Sequence, residues 1–408
     1  MSTKKGYKSV KGYFKKYEEI PEEWNVVPLN KYTTIKDGDW ILEENYSERG
    51  VRLLQIGDIG LGYFLDKSQK YISKKTSNEL KCTIIEQGKD ILISRMPTPI
   101  GRACISPILP YPYIVAVDIS ILKNNLKKID QTYLVYTLNH SKNLNNVQKY
   151  VAGTTRQRIN RKNLETILII LPSLPEQQQI ASILSNVDSL IESTSKIIEN
   201  SKSLKTGLMQ KLLTRGISHT KFKKVPWLFG KEIEIPEDWE VKELETLVDI
   251  LDSKRIPLEV SERKKRIGKY PYYGASGIID YVNDYIFDER ILCLSEDGEN
   301  LKSRVLPIAF TVEEKCWVNN HAHVLKMKKN VEHYFIEKVL NHISLLKYVA
   351  STAIPKLNQR DMCTIPILLP PLPEQQKIAS ILSNIDAQID SQTQYKDKLE
   401  RLKKSLMQ

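Results

Sequence analysis

Several loops carry side chains that could grip a polyanion. Arg95 and Arg102 bracket Met96-Pro97-Thr98-Pro99-Ile100-Gly101. Prolines and a glycine make such a loop rigid, and a guanidinium fork fits phosphate or guanine in two-pronged fashion. The plainer alternative is a charged hairpin tip. Asp297-Gly298-Glu299-Asn300-Leu301-Lys302-Ser303-Arg304 reads as a turn ending in two cations, again suited to a phosphate backbone. Lys269-Tyr270-Pro271-Tyr272-Tyr273 sets aromatics beside a lysine. They could stack on or flank nucleic acid, or serve as strand-packing residues.

Other chemistries find no foothold. His321 and His323 form an H-x-H on an expected strand, but no further Cys, His or carboxylate stands at a metal-binding spacing. The two histidines are therefore expected to be structural or to contact nucleic acid. No G-x-x-x-x-G-K-[ST] loop occurs, and Gly60-Leu61-Gly62 is only a fragment of a dinucleotide fingerprint. Neither Asn-Pro-Pro-Tyr nor Asp-Pro-Pro-Tyr, which amino-methyltransferases use on a flipped base, is present. Pro236-Glu237-Asp238-Trp239-Glu240-Val241-Lys242 superficially resembles a nuclease metal motif, but its acids are too close together. A basic chain with no catalytic constellation reads as a reader of its ligand, with no metal and no reaction of its own.

Composition agrees. Net charge is +12, with a pI of about 9.1, which points to an acidic partner such as nucleic acid. A generally lysine-rich host would produce the same balance. Hydrophobic content of 41% and charged content of 27% are those of a folded protein. Cys82, Cys104, Cys293, Cys316 and Cys363 are odd in number and widely spaced, so neither a disulfide framework nor a zinc site is indicated. No apolar run reaches membrane-spanning length, and the N-terminus lacks a signal-peptide core. A cytoplasmic protein is expected. Lys4, Lys5, Lys8, Lys11, Lys15 and Lys16 make the first residues a solvated tail or a DNA-contacting arm.

The elements that must position these loops come in duplicate. Leu171-Pro172-Ser173-Leu174-Pro175-Glu176-Gln177-Gln178 recurs as Leu369-Pro370-Pro371-Leu372-Pro373-Glu374-Gln375-Gln376, and the register holds through Leu208-Met209-Gln210 and Leu406-Met407-Gln408. Pro175 and Pro373 suit a first helical turn. Apolar residues then follow at three- and four-residue spacing, so each copy reads as one helix with a single sticky seam. About 38 residues at 1.5 Å each give a rod of about 57 Å. Such a rod has no core of its own, and two in one chain are expected to pair as an antiparallel coiled coil. Ile180, Leu184, Ile191, Ile378, Leu382 and Ile389 should bury against each other or against a partner. The first copy runs on as Lys211-Leu212-Leu213-Thr214, whereas the second stops at Gln408, leaving its last turn to fray or to be completed by a partner.

The repeat extends beyond the rods. Ile20-Pro21-Glu22-Glu23-Trp24 returns as Ile235-Pro236-Glu237-Asp238-Trp239, and Tyr150-Val151-Ala152-Gly153-Thr154 as Tyr348-Val349-Ala350-Ser351-Thr352. Between these marks lie unlike inserts of different length. In the first, Val51–Ile56, Asp90–Arg95 and Tyr113–Leu122 read as strands and Gln131–Asn146 as a helix. Arg215-Gly216 reads as the stop of the first rod.

Taken together, the doubled Leu-Pro-x-Leu-Pro-Glu-Gln-Gln-x-Ile-Ala-x-Ile-Leu, the Ile-Pro-acid-acid-Trp openings, Tyr270-Pro271-Tyr272-Tyr273-Gly274-Ala275 and Val318-Asn319-Asn320-His321-Ala322-His323 resemble a specificity subunit of a type I restriction–modification enzyme. That resemblance implies an α+β chain with two globular mixed α/β target-recognition domains joined by two long antiparallel helices in an internal pseudo-twofold repeat. The expected division is 1–170 and 217–368 for the recognition domains, with 171–216 and 369–408 as spacer helices. The family reads a split double-stranded DNA site and docks two methyltransferase subunits and restriction/translocase subunits. Those partners bring S-adenosylmethionine, ATP and magnesium, and the specificity chain itself catalyses nothing. A spacer of this length can hold two readers one DNA turn apart, ~34–36 Å. Charge and loop context then nominate Arg95, Arg102 and Arg156 in the first half, and Lys269, Tyr273, Lys302, Arg304 and Lys356 in the second, as DNA contacts. Phosphate contacts should position the chain and base contacts should specify the site. The rival expectation is a non-catalytic coiled-coil scaffold that binds proteins rather than DNA.

Overall fold

The computed structural model describes residues 5–10, 18–96, 99–350 and 353–407. Lys4, Lys11, Lys15 and Lys16 of the proposed arm lie outside the described residues. The repeated segments form helices Leu174–Arg215 and Leu372–Leu406, of 42 and 35 residues. At 1.5 Å per residue these are about 63 and 52 Å long. Pro175 and Pro373 sit in the first turns, as their missing N–H groups allow. The first helix ends where Gly216 turns left-handed at φ +64°.

The chain forms two compact units, one of Met1–Ile191 with Leu399–Gln408, the other of Glu192–Lys398. Each unit contains a stretch of both long helices, and in each the two stretches run antiparallel. In the second unit Glu374, at the start of one helix, accepts from Ile217 N just past the end of the other at 2.8 Å, and Asp386 pairs with Lys205 at 2.5 Å. In the first unit Asp188 pairs with Lys403 at 2.6 Å.

In the first unit the central sheet has the order Thr33–Asp37, Ile119–Asn124, Ile91–Ser94, Ala103–Ile105, all antiparallel. Its second sheet runs Tyr113–Val115, Val51–Leu54, Lys70–Ile72, Tyr46–Ser47, and the first of these pairs is parallel. Ile91, Ile93, Ile100 and Leu122 form a core with Leu134 and Leu138 of helix Gln131–Asn139. Two expected elements are each divided. Tyr113–Leu122 is broken by a turn in which Ile119 N donates to Ala116 O. The helix expected through Asn146 stops at His140, which is extended and caps a new helix, Ser141–Gln148, by accepting from Lys142 N. At the stop, the Asn139 amide bonds both backbone groups of Ala103 on the neighbouring strand.

The second unit repeats this plan despite its unlike insert. Its central sheet runs Val248–Ile250, Ala322–Met327, Ile291–Ser295, Ala309–Val312. A smaller sheet again contains a parallel pair, Tyr272 opposite Trp317 and Tyr273 opposite Val318. One continuous core gathers Leu292, Leu294 and Leu325 with Phe335 and Val339, and also Trp239, Ile378 and Leu382.

The repeated signature residues anchor each unit to its helix. Asn25–Pro28 pairs with Leu168–Leu171, and Glu240–Glu243 with Pro366–Leu369, so both ends of each insert lead to the start of a long helix. Pro-acid-acid-Trp is a turn in both copies, with Trp24 N donating to Pro21 O and Trp239 N to Pro236 O. Glu176 accepts from Trp24 Nε1 at 3.0 Å, and Glu374 from Trp239 Nε1 at 2.9 Å. The buried amides of Gln177 and Gln375 accept from Asp130 N and Glu332 N, and they donate to Pro172 O and Pro370 O. Each amide thereby ties the residue that caps an insert helix to a proline carbonyl just before a long helix.

Candidate nucleic-acid interface

Several of the nominated cations hold the fold together instead of facing solvent. Arg95 is 2% exposed; its guanidinium donates to Val117 O and pairs with Asp37 at 3.2 Å. Burial pushes its pKa below the ordinary arginine value, with Asp37 opposing the shift. Arg102 is also buried and donates to the carbonyls of Ile59, Ile56 and Pro99. The rigid loop expected to display both arginines therefore tucks them inward, where backbone carbonyls would otherwise go unpaired. Arg304 is half-buried and donates to Leu340 O at 3.3 Å and Ile343 O at 3.0 Å, closing the end of helix His333–His342. Tyr273 is a core residue, bonded to Glu314 at 2.8 Å and facing Phe310 at 5.6 Å between ring centroids. These four are corrected from DNA contacts to structural residues.

Arg156, Lys269, Lys302 and Lys356 are exposed, as a contact to DNA requires. Arg156 lies between the strands of the hairpin Val151–Ala152 and Arg158–Ile159. The matching hairpin, Val349–Ala350 with Lys356–Leu357, places Lys356 where the first unit has Arg158. Ile159 N donates to Arg95 O, which ties the first hairpin to the arginine loop. Arg158 faces Asp118 at 3.8 Å, and Arg161 faces Asp37 at 3.7 Å and Glu165 at 3.6 Å. Both arginines are almost half exposed, so the first unit has a row of three cations: Arg156, Arg158 and Arg161. Arg158 and Arg161 were missed from sequence. Arg-Gln-Arg-Ile-Asn-Arg at 156–161 was the available signal.

In the second unit several loops are joined at one edge. Ser295 Oγ donates to Ala275 O, Asn319 N to Tyr273 O, Glu296 N to His321 O and Gly298 N to Pro355 O. Beneath them Arg255 pairs with Glu296 at 2.7 Å and Asp252 at 3.3 Å, and Lys356 reaches Glu296 at 3.3 Å. His323 is buried, with Nδ1 facing Asp252 at 2.6 Å and Nε2 facing Leu357 O at 2.8 Å. Both ring nitrogens are engaged, so His323 positions the edge and has no lone pair directed at a metal. His321 is exposed and faces Asp297 at 2.8 Å. His219, Asp238 and Glu374 also converge, but Glu374 already accepts from Trp239, Ile217 and His219. Buried thiols are unreactive here, with Cys104 and Cys316 each pushed up to about 12 by burial.

The six expected helix-seam residues divide. Ile378 and Leu382 are buried in the second unit's core with Leu212 and Leu213. Leu184 is buried, whereas Ile180, Ile191 and Ile389 are half-buried. Asp188 is held between Tyr136, at 2.7 Å, and Lys403, and Asp386 between Lys338, at 3.0 Å, and Lys205. In each unit, then, an aspartate on one long helix binds both an insert helix and the other long helix. Among the described residues no helix is long and apolar enough to cross a membrane.

Comparison with known proteins agrees with this duplicated plan. A family model described as the type I restriction modification DNA specificity domain matches twice, at residues 21–201 and 236–401. The putative type I restriction enzyme MjaX specificity subunit of Methanocaldococcus jannaschii is 32% identical over 97% of this chain and 94% of its own. The MjaVIII specificity subunit of the same organism is 28% identical over 95% and 92%. Among solved structures, the type I restriction–modification S subunit of M. genitalium superposes with a TM-score of 0.62 at 14% identity, covering 94% of this chain and 95% of that one.

Proposed function

The chain belongs to the type I restriction–modification DNA specificity family, and we propose that it reads a bipartite, asymmetric double-stranded DNA site, one half with each unit. The observation that carries this reading is the pairing of like mounts with unlike reading edges. In both units the tryptophan indole meets the glutamate and the glutamine takes the N–H that opens the insert helix, while the matching aspartates reach that helix through different partners, Tyr136 and Lys338. The first unit exposes Arg156 and Arg158 on its hairpin and Arg161 on the helix that follows, whereas the second exposes Lys356 on its hairpin, paired through Asp297 with the segment of His321. Exposed cations on a hairpin suit phosphate contacts, which set register, and the side chains around them suit base contacts. Differing edges on like mounts would make the two half-sites differ.

The chain catalyses nothing in this reading. Two methyltransferase subunits would bring S-adenosylmethionine and the adenine-modifying site, and restriction/translocase subunits would bring ATP and magnesium, all in the cytoplasm. Docking of such partners is supported by apolar residues that the first long helix leaves exposed in each unit, Ile183 and Leu190 in the first, both 44% exposed, and Ile197 and Leu204 in the second, 43% and 57% exposed. A solved structure described as the basis of complex assembly and conformational transition of the type I R-M system matches this fold with a TM-score of 0.53 over 96% of the chain.

Methylome sequencing of cells with and without the gene tests the reading. A two-part methylated motif should vanish with the gene. Replacing residues 245–347 by another insert of the family should change one half of the motif and leave the other. Loss of no motif, or a change in both halves, would overturn it.

A further inference from the structure

Trp40 stands apart from the other tryptophans. It is 68% exposed, whereas Trp239 and Trp317 are buried and Trp24 and Trp227 half-buried. The backbone that carries it is pinned. Gly38 N donates to Ile119 O at 2.9 Å and Asp39 N to Val115 O at 2.8 Å, while Asp39 Oδ2 accepts from Thr83 N at 3.0 Å. A Cβ on Gly38 would lie 2.3 Å from Ala116 O, so the close approach of the two segments requires glycine. The indole therefore projects into solvent from a fixed support.

That support also belongs to the cation row. Asp37, three residues before Trp40, pairs with Arg95 at 3.2 Å and faces Arg161 at 3.7 Å. In the second unit the matching aspartate is Asp252. Asp37 lies opposite Ser120, the second residue of strand Ile119–Asn124, and Asp252 faces His323, the second residue of the corresponding strand Ala322–Met327. Three residues after Asp252 comes Arg255, which folds back onto Glu296, Asp252 and Ala322 O. The place that turns inward in the second unit puts an exposed aromatic plane beside exposed cations in the first.

We propose that Trp40 is a wedge that enters a base step of the first half-site and stacks on the opened bases, while Arg156, Arg158 and Arg161 hold the neighbouring phosphates. Every base has a π face, so an indole stacks without reading a base edge. Opening is easiest at pyrimidine–purine steps, so the wedge favours such a step at one position. The contact carries no charge and adds affinity without releasing counterions. Continuity with the cation row favours DNA over a protein occupant. The proposal rests on the DNA reading of the first unit, and its test separates the two.

The probe is a duplex carrying the motif found by methylome sequencing, titrated into the full chain. Anisotropy of a dye on the duplex reports binding, and tryptophan emission reports the wedge. Binding should quench emission, and Trp40→Phe should abolish that quench. Trp40→Ala should bind about tenfold more weakly or worse, with its salt slope and thermal transition unchanged. Trp40→Phe, which keeps an aromatic plane, should lose less than about threefold. Binding without a Trp40-dependent quench, or Trp40→Ala binding as tightly as the unaltered chain, would overturn the wedge and leave the DNA reading standing. Absence of binding to any duplex would overturn both. A Trp40-dependent change in emission on adding a methyltransferase subunit without DNA would also overturn the wedge, because the occupant would then be a protein.

Discussion

Glu176 and Glu374 occupy the same place in the repeat, yet the structure gives them different energetic weight. Glu374 accepts from the fully buried Trp239 indole at 2.9 Å, from Ile217 N at 2.8 Å and from His219 Nε2 at 2.8 Å. Glu176 accepts from the half-buried Trp24 indole at 3.0 Å. Glu374→Ala would strand two N–H donors away from water. Each stranded donor costs about 1–3 kcal/mol, so the loss should be about 2–6 kcal/mol. In Glu176→Ala water can reach the Trp24 N–H, and the loss should be about 1 kcal/mol or less. Equilibrium urea unfolding, followed by tryptophan emission and far-UV circular dichroism, measures both. A change in midpoint at constant slope reports stability. The two variants should differ by about 1 kcal/mol or more, with Glu374→Ala the weaker protein. Equal losses, or a larger loss for Glu176→Ala, would show that burial does not govern the cost of breaking this clamp.

Gly216→Ala should destabilise the second unit by at least about 1 kcal/mol, because φ is +64° and an added Cβ would lie 2.4 Å from Glu374 Oε1 and 2.8 Å from Trp239. Differential scanning calorimetry reads the loss, and an unchanged transition would refute the close approach. His333 is buried and its pKa falls to about 4, chiefly through burial and then through repulsion from Arg290. The unfolded chain takes up a proton near the ordinary pKa of 6.5, so stability is full above that pH and declines as pH falls from 6.5 towards 4. His333→Gln should remove up to about 3 kcal/mol of that decline, read as urea midpoints at pH 7.5 and 4.5; an identical slope in both proteins would refute it. Arg156→Ala and Arg158→Ala should each lower the salt dependence of DNA binding by about one unit of slope, measured by fluorescence anisotropy across a salt series. Arg95→Lys should instead lower thermal stability, since it loses the fork that reaches both Asp37 and Val117. Unchanged salt slopes for the first pair would remove the hairpin row from the interface.

The long helices were legible because helical information is local. Three-four spacing, a proline at the start and Gly216 at the end act within a few residues, and the observed helices match. The repeat likewise announced two like mounts, and the missing motifs argued against chemistry in the chain itself. The inserts were opaque for the opposite reason. Their sheets pair strands far apart in sequence, such as Thr33–Asp37 with Ile119–Asn124, and dissimilar residues in both inserts satisfy one strand order because a pleated, half-buried surface accepts many side chains. Nor does a one-dimensional pattern say which arginine faces water. Arg95 and Arg102 sit in a loop rich in turn residues, yet buried carbonyls claim their donors, whereas Arg158 and Arg161 stay half exposed. The difference between Trp24 and Trp239 is also tertiary. The local turn and the glutamate partner are the same in both, and Trp239 becomes core by joining Leu212 and Leu213 in one cluster, with Gly216 and His219 also against it. Local pattern determined which elements form, and long-range burial decided which charges remain free to meet a ligand.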